Sequence, residues 1–252
     1  MEISIIIILF IVCFVAGIVD SIAGGGGLLT LPSFLIAGLQ PQFALGTNKF
    51  MSSSGTSVAV LNFLRKKKIA FKLAASGILF ALAGGFIGSK AALFLNQEIL
   101  VKVIIFMLPA AAIIILYPRK NIKRKENFSK NDLFVKVPLI CISIGFYDGF
   151  FGPGTGSLLA ICFYAFIGLN LVESTANAKV INLATNLGAL VSFIIAGKVI
   201  YLLAIPLAVS NMVGNYIGSN LALAKGERII KSVLIAVVVM MMGTLIWKYI
   251  IK

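Results

Sequence analysis

Four ionisable residues stand inside otherwise apolar runs of the chain: Asp20, Asp148, Lys49 and Lys179. Charges held in an apolar layer are costly, and by default they mark a pathway or a pair. Thr47 and Asn48 adjoin Lys49, and Asn177 and Asn182 flank Lys179, so each lysine has neutral hydrogen-bonding neighbours. Each aspartate precedes a glycine-rich run, Gly24-Gly25-Gly26-Gly27 in one case and Gly152-Pro153-Gly154-Thr155-Gly156 in the other. Glycine lets backbone approach a ligand closely, and free N–H groups at a helix start favour negative charge. The chemistry these residues suit is non-covalent capture of an anion. Lysines would supply charge, the two runs, Thr155 among them, would supply backbone donors, and Thr47, Asn48, Asn177 and Asn182 would add neutral hydrogen bonds. Asp20 and Asp148 would orient the lysines or carry a coupling proton. The blander alternative is two structural Asp–Lys bridges, one in each half of the chain.

The elements that must position these groups are membrane helices. The chain has 252 residues, 60% hydrophobic and only 12% charged, with a mean hydropathy of +1.07. A soluble domain keeps about a quarter of its residues charged. Each crossing takes about 20 apolar residues, so the length has room for about eight to ten and for no soluble catalytic domain. The N-terminal MEISIIIILF carries Glu2, and no Lys or Arg precedes Lys49. A cleaved signal peptide wants a positive start, so this segment is expected to be a retained first span.

Net charge is +14, yet its distribution argues against nucleic acid. The basic residues cluster at Arg65, Lys66, Lys67, Lys68 and Lys72, and again at Arg119, Lys120, Lys123, Arg124, Lys125 and Lys130. Both clusters flank apolar segments, as cytoplasmic loops do under the positive-inside rule. Cys13, Cys141 and Cys162 sit in apolar runs without zinc spacing, and histidine is absent. No metal and no cofactor is expected. The phosphate-binding loop GxxxxGK[ST] is also missing, which argues against direct ATP drive.

The sequence reads as a duplication. At a shift of 128 residues Cys13, Gly17, Asp20, Gly24 and Gly26 match Cys141, Gly145, Asp148, Gly152 and Gly154. At a shift of 130, Gly38, Lys49, Phe63 and Lys68 match Gly168, Lys179, Phe193 and Lys198, and GGFIGSKAAL at 84–93 matches GNYIGSNLAL at 214–223. Each copy holds five apolar stretches: 3–19, 24–39, 43–64, 69–95 and 99–117, then 134–150, 154–169, 172–196, 199–224 and 229–251. The expected fold is an all-α polytopic membrane protein: a first repeat at 1–117, a basic cytoplasmic linker at 118–133 and a second repeat at 134–252. In each repeat the second stretch is short and glycine-rich, so it is a full, broken or re-entrant helix. Five crossings per repeat make the halves inverted, four make them parallel. The cluster Lys225, Arg228 and Lys231 favours the inverted version. Gly84 with Gly88, and Gly214 with Gly218, have the spacing of close helix packing. Lys90 is expected to snorkel, Glu98 to be solvated, Glu173 to be either solvated or a proton site, and Trp247 and Tyr249 to mark an interface.

GIVDSIAGGGGLLTLPSFLIAGLQPQFALGTNKF, then GFYDGFFGPGTGSLL and ANAKVIN, resemble the two signature regions of the sulfite exporter TauE/SafE (TSUP) family, across roughly residues 10–225. The resemblance implies a multi-pass transporter of the bacterial inner membrane, moving sulfite, sulfonates or related sulfur-containing organic anions. The expected partners are a small anionic substrate and the lipid bilayer, with a homodimer left open and no nucleic acid. The expected mechanism is alternating access at the repeat interface, with no enzymatic step. The rivals are a passive anion channel, an intramembrane enzyme built on Lys49 with Ser52, Ser53 or Ser54, and a scaffold.

Overall fold

A computed structural model of the chain describes residues 3–100, 102, 128–226, 228–230, 232, 233 and 236. The basic cluster at 119–125, most of the stretches 99–117 and 229–251, and Trp247 and Tyr249 lie outside the described residues. Eight helices account for most of the rest: α1 Ile3–Ala23, α2 Gly27–Ile36, α3 Pro41–Arg65, α4 Phe71–Phe94, α5 Asp132–Phe150, α6 Thr155–Ile167, α7 Leu171–Ile195 and α8 Tyr201–Lys225. No strand occurs among the described residues. The chain is an all-helical, multi-pass membrane protein.

Five helices, α1, α4, α5, α7 and α8, are long and apolar enough to cross a membrane. The 25-residue α3 is as long as α7 but more polar, and it buries Thr47, Asn48, Lys49, Ser53, Thr56 and Asn62. Such a helix is tolerable at membrane depth only when other helices enclose it, and α7 and α8 pack along it.

The second stretch of each half is too short to span. At about 1.5 Å per residue, α2 is about 15 Å long and α6 about 20 Å, against a hydrocarbon core of about 30 Å. Both instead double back on the preceding helix. A Cβ on Gly26, just before α2, would lie 2.6 Å from Asp20 Cβ, near the end of α1. At the other end of α2, residues 37–39 share a groove with Ile5 near the start of α1. In the other half, Leu159, Phe163 and Ile167 of α6 pack in one cluster with Val137 and Cys141 of α5. The two hairpins meet at their tips. A side chain on Gly156 would sit 2.6 Å from Gly24 Cα, and one on Gly27 would sit 3.1 Å from Pro153 Cα. Ser157 Oγ donates to Ala23 O at 2.5 Å across the junction.

Packing interleaves the early and late parts of the chain. α1 lies along α8, α4 along α5 and α7, and α3 along α7 and α8. Each apolar cluster accordingly mixes both parts, as Leu9 and Phe34 do with Phe193 and Leu207. Gly84 and Gly88 of α4 lie directly against the α5 backbone, and Gly214 and Gly218 of α8 against that of α1, the close packing their spacing suggests. Lys90 is exposed, with its ammonium 4.7 Å from the centre of the Phe86 ring.

Hydrogen bonds sort the loops to two ends. Gln42 Nε2 donates to Leu93 O and Leu95 O, both at 3.1 Å, and Ile200 N donates to Thr47 Oγ1 at 3.2 Å. At the opposite end, Ala70 N donates to Asn177 Oδ1 at 3.0 Å. Phe128 and Leu133 pack there with Leu73 and Leu169. Arg65, Lys66, Lys67, Lys68 and Lys72 therefore share an end with Lys130 and Lys136.

Candidate functional site

Where the hairpin tips meet, the four embedded charges form two pairs, and the pairs cross between the halves. Lys49 Nζ of α3 lies 2.8 Å from Asp148 Oδ1 of α5, and Lys179 Nζ of α7 lies 2.6 Å from Asp20 Oδ2 of α1. Bridges within each half, one alternative left by the sequence, are not what forms. Lys49 also donates to Asn186 Oδ1 at 2.9 Å, and Thr185 Oγ1 donates to Asp148 Oδ2 at 2.5 Å. Asp20 Oδ1 faces the amide of Gly26 at 3.4 Å.

At this junction lies a cavity of about 20 Å³, room for about one water molecule. Asp20, Asn48, Lys49, Asp148 and Asn182 line it, together with Gly24, Gly27, Gly152, Thr155 and Gly156 from the two turns. Gly24 and Gly152 have φ of +78° and +96°, a conformation that favours glycine. Gly152 is also the floor over which Lys49 passes, since a Cβ there would be 3.2 Å from Lys49 Nζ. Gly27 begins α2, and Thr155 and Gly156 begin α6. Two helix N-termini therefore open on the cavity, and both ends carry partial positive charge. Tyr147 Oη donates to Pro153 O at 2.6 Å and braces the second turn.

Other residues singled out by the sequence fall outside the cavity. Lys179 stands behind Asp20 and does not line it. Gly25, Gly26 and Gly154 belong to the turns without lining it, and Gly154, at φ +82°, caps α6. Thr47 and Asn177 are engaged elsewhere. Thr47 Oγ1 accepts the amide of Ile200 at the start of α8, and Asn177 Oδ1 accepts that of Ala70 at the start of α4. Asn177 Nδ2 donates to Glu173 O at 2.8 Å. Ser53 and Ser54 donate to carbonyls of their own helix, Lys49 O at 2.7 Å and Phe50 O at 3.1 Å.

The sequence does not single out Asn186 or Thr185, and it offers Ser52 only as a nucleophile; Asn186 and Ser52 line the cavity. A signal was present. Asn182 and Asn186 are one turn apart on the helix that carries Lys179, as Asn48 and Ser52 are on the helix of Lys49, so each pair shares a face. Thr30 escaped notice too, and its hydroxyl donates to Asn48 Oδ1 at 2.6 Å, fixing how that amide meets the cavity.

Helices crossing the bilayer around a buried, charged, glycine-lined centre define a polytopic membrane protein of the transporter class. The chain belongs to the sulfite exporter TauE/SafE family, whose profile it matches over residues 9–245. It is 36% identical to the probable membrane transporter protein YfcA of Escherichia coli strain K12, over 95% of this chain and 89% of that one. It is likewise 36% identical to the probable membrane transporter protein ORF9 of Sinorhizobium sp, covering 91% and 87% of the two chains. Against a probable membrane transporter protein of Haemophilus influenzae the identity is 35%, over 97% and 96%. No solved structure matches the chain.

Proposed function

We propose that the chain is a secondary transporter of small anions in the bacterial inner membrane, working by alternating access between two homologous, inverted halves. Sulfite, small sulfonates and related sulfur oxyanions are the expected substrates, in keeping with the family's description as sulfite exporters. The observation that carries the reading is Lys49, its side chain 1% exposed, set at a cavity onto which two helix N-termini open. An anion there would meet an ammonium, the amides of Asn48, Asn182 and Asn186, the Ser52 hydroxyl and the N–H groups of two helix starts. Broken helices meeting at a repeat interface are where many secondary transporters hold substrate.

The size of the cavity favours alternation over a standing pore. Even a four-atom oxyanion exceeds a space that suits one water, so binding requires the hairpin tips to part. The sequence repeat supports two movable halves, since it matches Asp20 with Asp148 and Lys49 with Lys179. An enzymatic role for a Ser–Lys pair is disfavoured, because the Lys49 ammonium is engaged by Asp148 and Asn186.

The test is flux into proteoliposomes of sulfite, sulfate, thiosulfate, methanesulfonate and chloride, with and without a pH gradient. Selective uptake of one anion, lost in Lys49→Ala, is the expected result. Unselective flux that persists in the variant would discard the site.

A further inference from the structure

We propose that this centre is electrically neutral when empty, and that each negative charge entering it is matched by one proton, the first of them taken up on Asp20. The proposal rests on the anion-transport reading and adds to it the coupling ion, the ratio and the carrier residue.

The charge count comes from the two crossed pairs. Lys49 and Lys179 bring two ammonium groups, and Asp20 and Asp148 bring two carboxylates. Among the described residues, the other ionisable groups on the elements packed against α1 include Arg65 in the last turn of α3 and Tyr201 at the start of α8. α2 has none. Glu173 is in the first turn of α7, and Tyr164 is in the last part of α6. On α8, Tyr216 is 53% exposed and Lys225 closes the helix. Adding an anion to a balanced, buried centre leaves one charge without a partner, which is strongly unfavourable. A proton arriving with the anion restores the balance: two ammoniums against one carboxylate and one anion.

The two carboxylates differ in how their oxygens are engaged. Both oxygens of Asp148 already accept short hydrogen bonds, from Lys49 and from Thr185, and its side chain is 2% exposed. Asp20 has one firm bond, to Lys179, and its other oxygen faces the Gly26 amide at 3.4 Å, beyond the usual range for such bonds. Its side chain is 16% exposed and borders the cavity. Protonation there neutralises the partner of Lys179 and leaves that ammonium to balance the anion. A divalent anion requires a second proton, and Asp148 is the carboxylate left to take it.

The full-length protein in proteoliposomes tests this with whichever anion of the panel above is carried, reading lumenal pH and setting the membrane potential with potassium and valinomycin. The expected ratio of protons to anions equals the charge of the anion, and flux does not respond to the potential. In Asp20→Asn a monovalent anion should move with no proton, and its flux should then follow the potential. Wild-type flux that is driven by the potential and moves no protons overturns the proposal while leaving anion transport standing. An Asp20→Asn variant that keeps the wild-type ratio, with Asp148→Asn losing it, overturns the assignment to Asp20. Absence of flux for all five anions, from protein shown to be folded, defeats the transport reading itself.

Discussion

Lys49 Nζ lies 2.8 Å from Asp148 Oδ1, and the two side chains, from helices far apart in the chain, are 1% and 2% exposed. The pair ties α3 to α5 directly at the junction of the hairpin tips. Sealing it in protein makes each partner depend on the other, because a buried charge without its counter-charge has nothing to offset its lost hydration.

Lys49→Ala is therefore expected to cost about 3–5 kcal/mol of stability, the range for breaking a buried pair from one side, and to abolish anion flux. Adding Asp148→Asn removes the stranded charge and should restore much of the stability without restoring flux. Thermal unfolding in detergent, read beside proteoliposome flux, separates the two effects. A single variant that melts like the wild type would mean that the pair is not buried in the protein.

Lys179→Ala should be the milder lesion. Its partner Asp20 is 16% exposed and borders the cavity, so the stranded carboxylate retains some access to solvent. The expected order of melting temperature is wild type, then Lys179→Ala, then Lys49→Ala. The reverse order would place the more deeply sealed pair at Asp20.

Gly24→Ala and Gly38→Ala compare two glycines with positive φ, +78° and +87°. Both substitutions strain the backbone, by about 1–3 kcal/mol. At Gly38 nothing lies within 4 Å of the new methyl, so strain is the whole effect. At Gly24 the methyl would collide with the backbone of Gly156 and Ser157, which cannot yield without parting the tips. Gly38→Ala should lower the melting temperature by a few degrees and leave flux per folded molecule intact. Gly24→Ala should prevent assembly or stop transport, and an unaffected Gly24→Ala protein would remove the tip-to-tip contact from the account.

What the sequence revealed follows from what membrane depth makes conspicuous. Asp20, Lys49, Asp148 and Lys179 stood out because a charge in an apolar run is rare and costly. The glycine runs stood out because two of them precede apolar helices. The crossing of the ion pairs was not legible, because it depends on which helices pack together, and α1 lies along α8 rather than remaining among its chain neighbours. Asn186 shares a helix face with Asn182, a weak signal because an asparagine in a membrane helix has many uses, and the position of Lys49 Nζ is what gives it a partner. The apolar stretches 24–39 and 154–169 are of a length that fits either a spanning or a shorter helix. The helices begin only at Gly27 and Thr155, because the turns before them need residues at positive φ.

Thr47 and Asn177 supply the last prediction, since a place beside a buried lysine suggests substrate contact while their hydrogen bonds run elsewhere. Each accepts the amide at the start of a helix from the other part of the chain, Ile200 for Thr47 and Ala70 for Asn177. Those amides lack an intrahelical acceptor, as the first N–H groups of any helix do. Asn177→Ala or Thr47→Val leaves such a group partly buried without a partner, at a cost of about 1–3 kcal/mol. Both variants should melt earlier, while the anion concentration for half-maximal flux stays within about twofold of wild type, a difference below about 0.5 kcal/mol. A shift of tenfold or more in that concentration, with melting unchanged, would place these side chains on the anion and not on the helix starts.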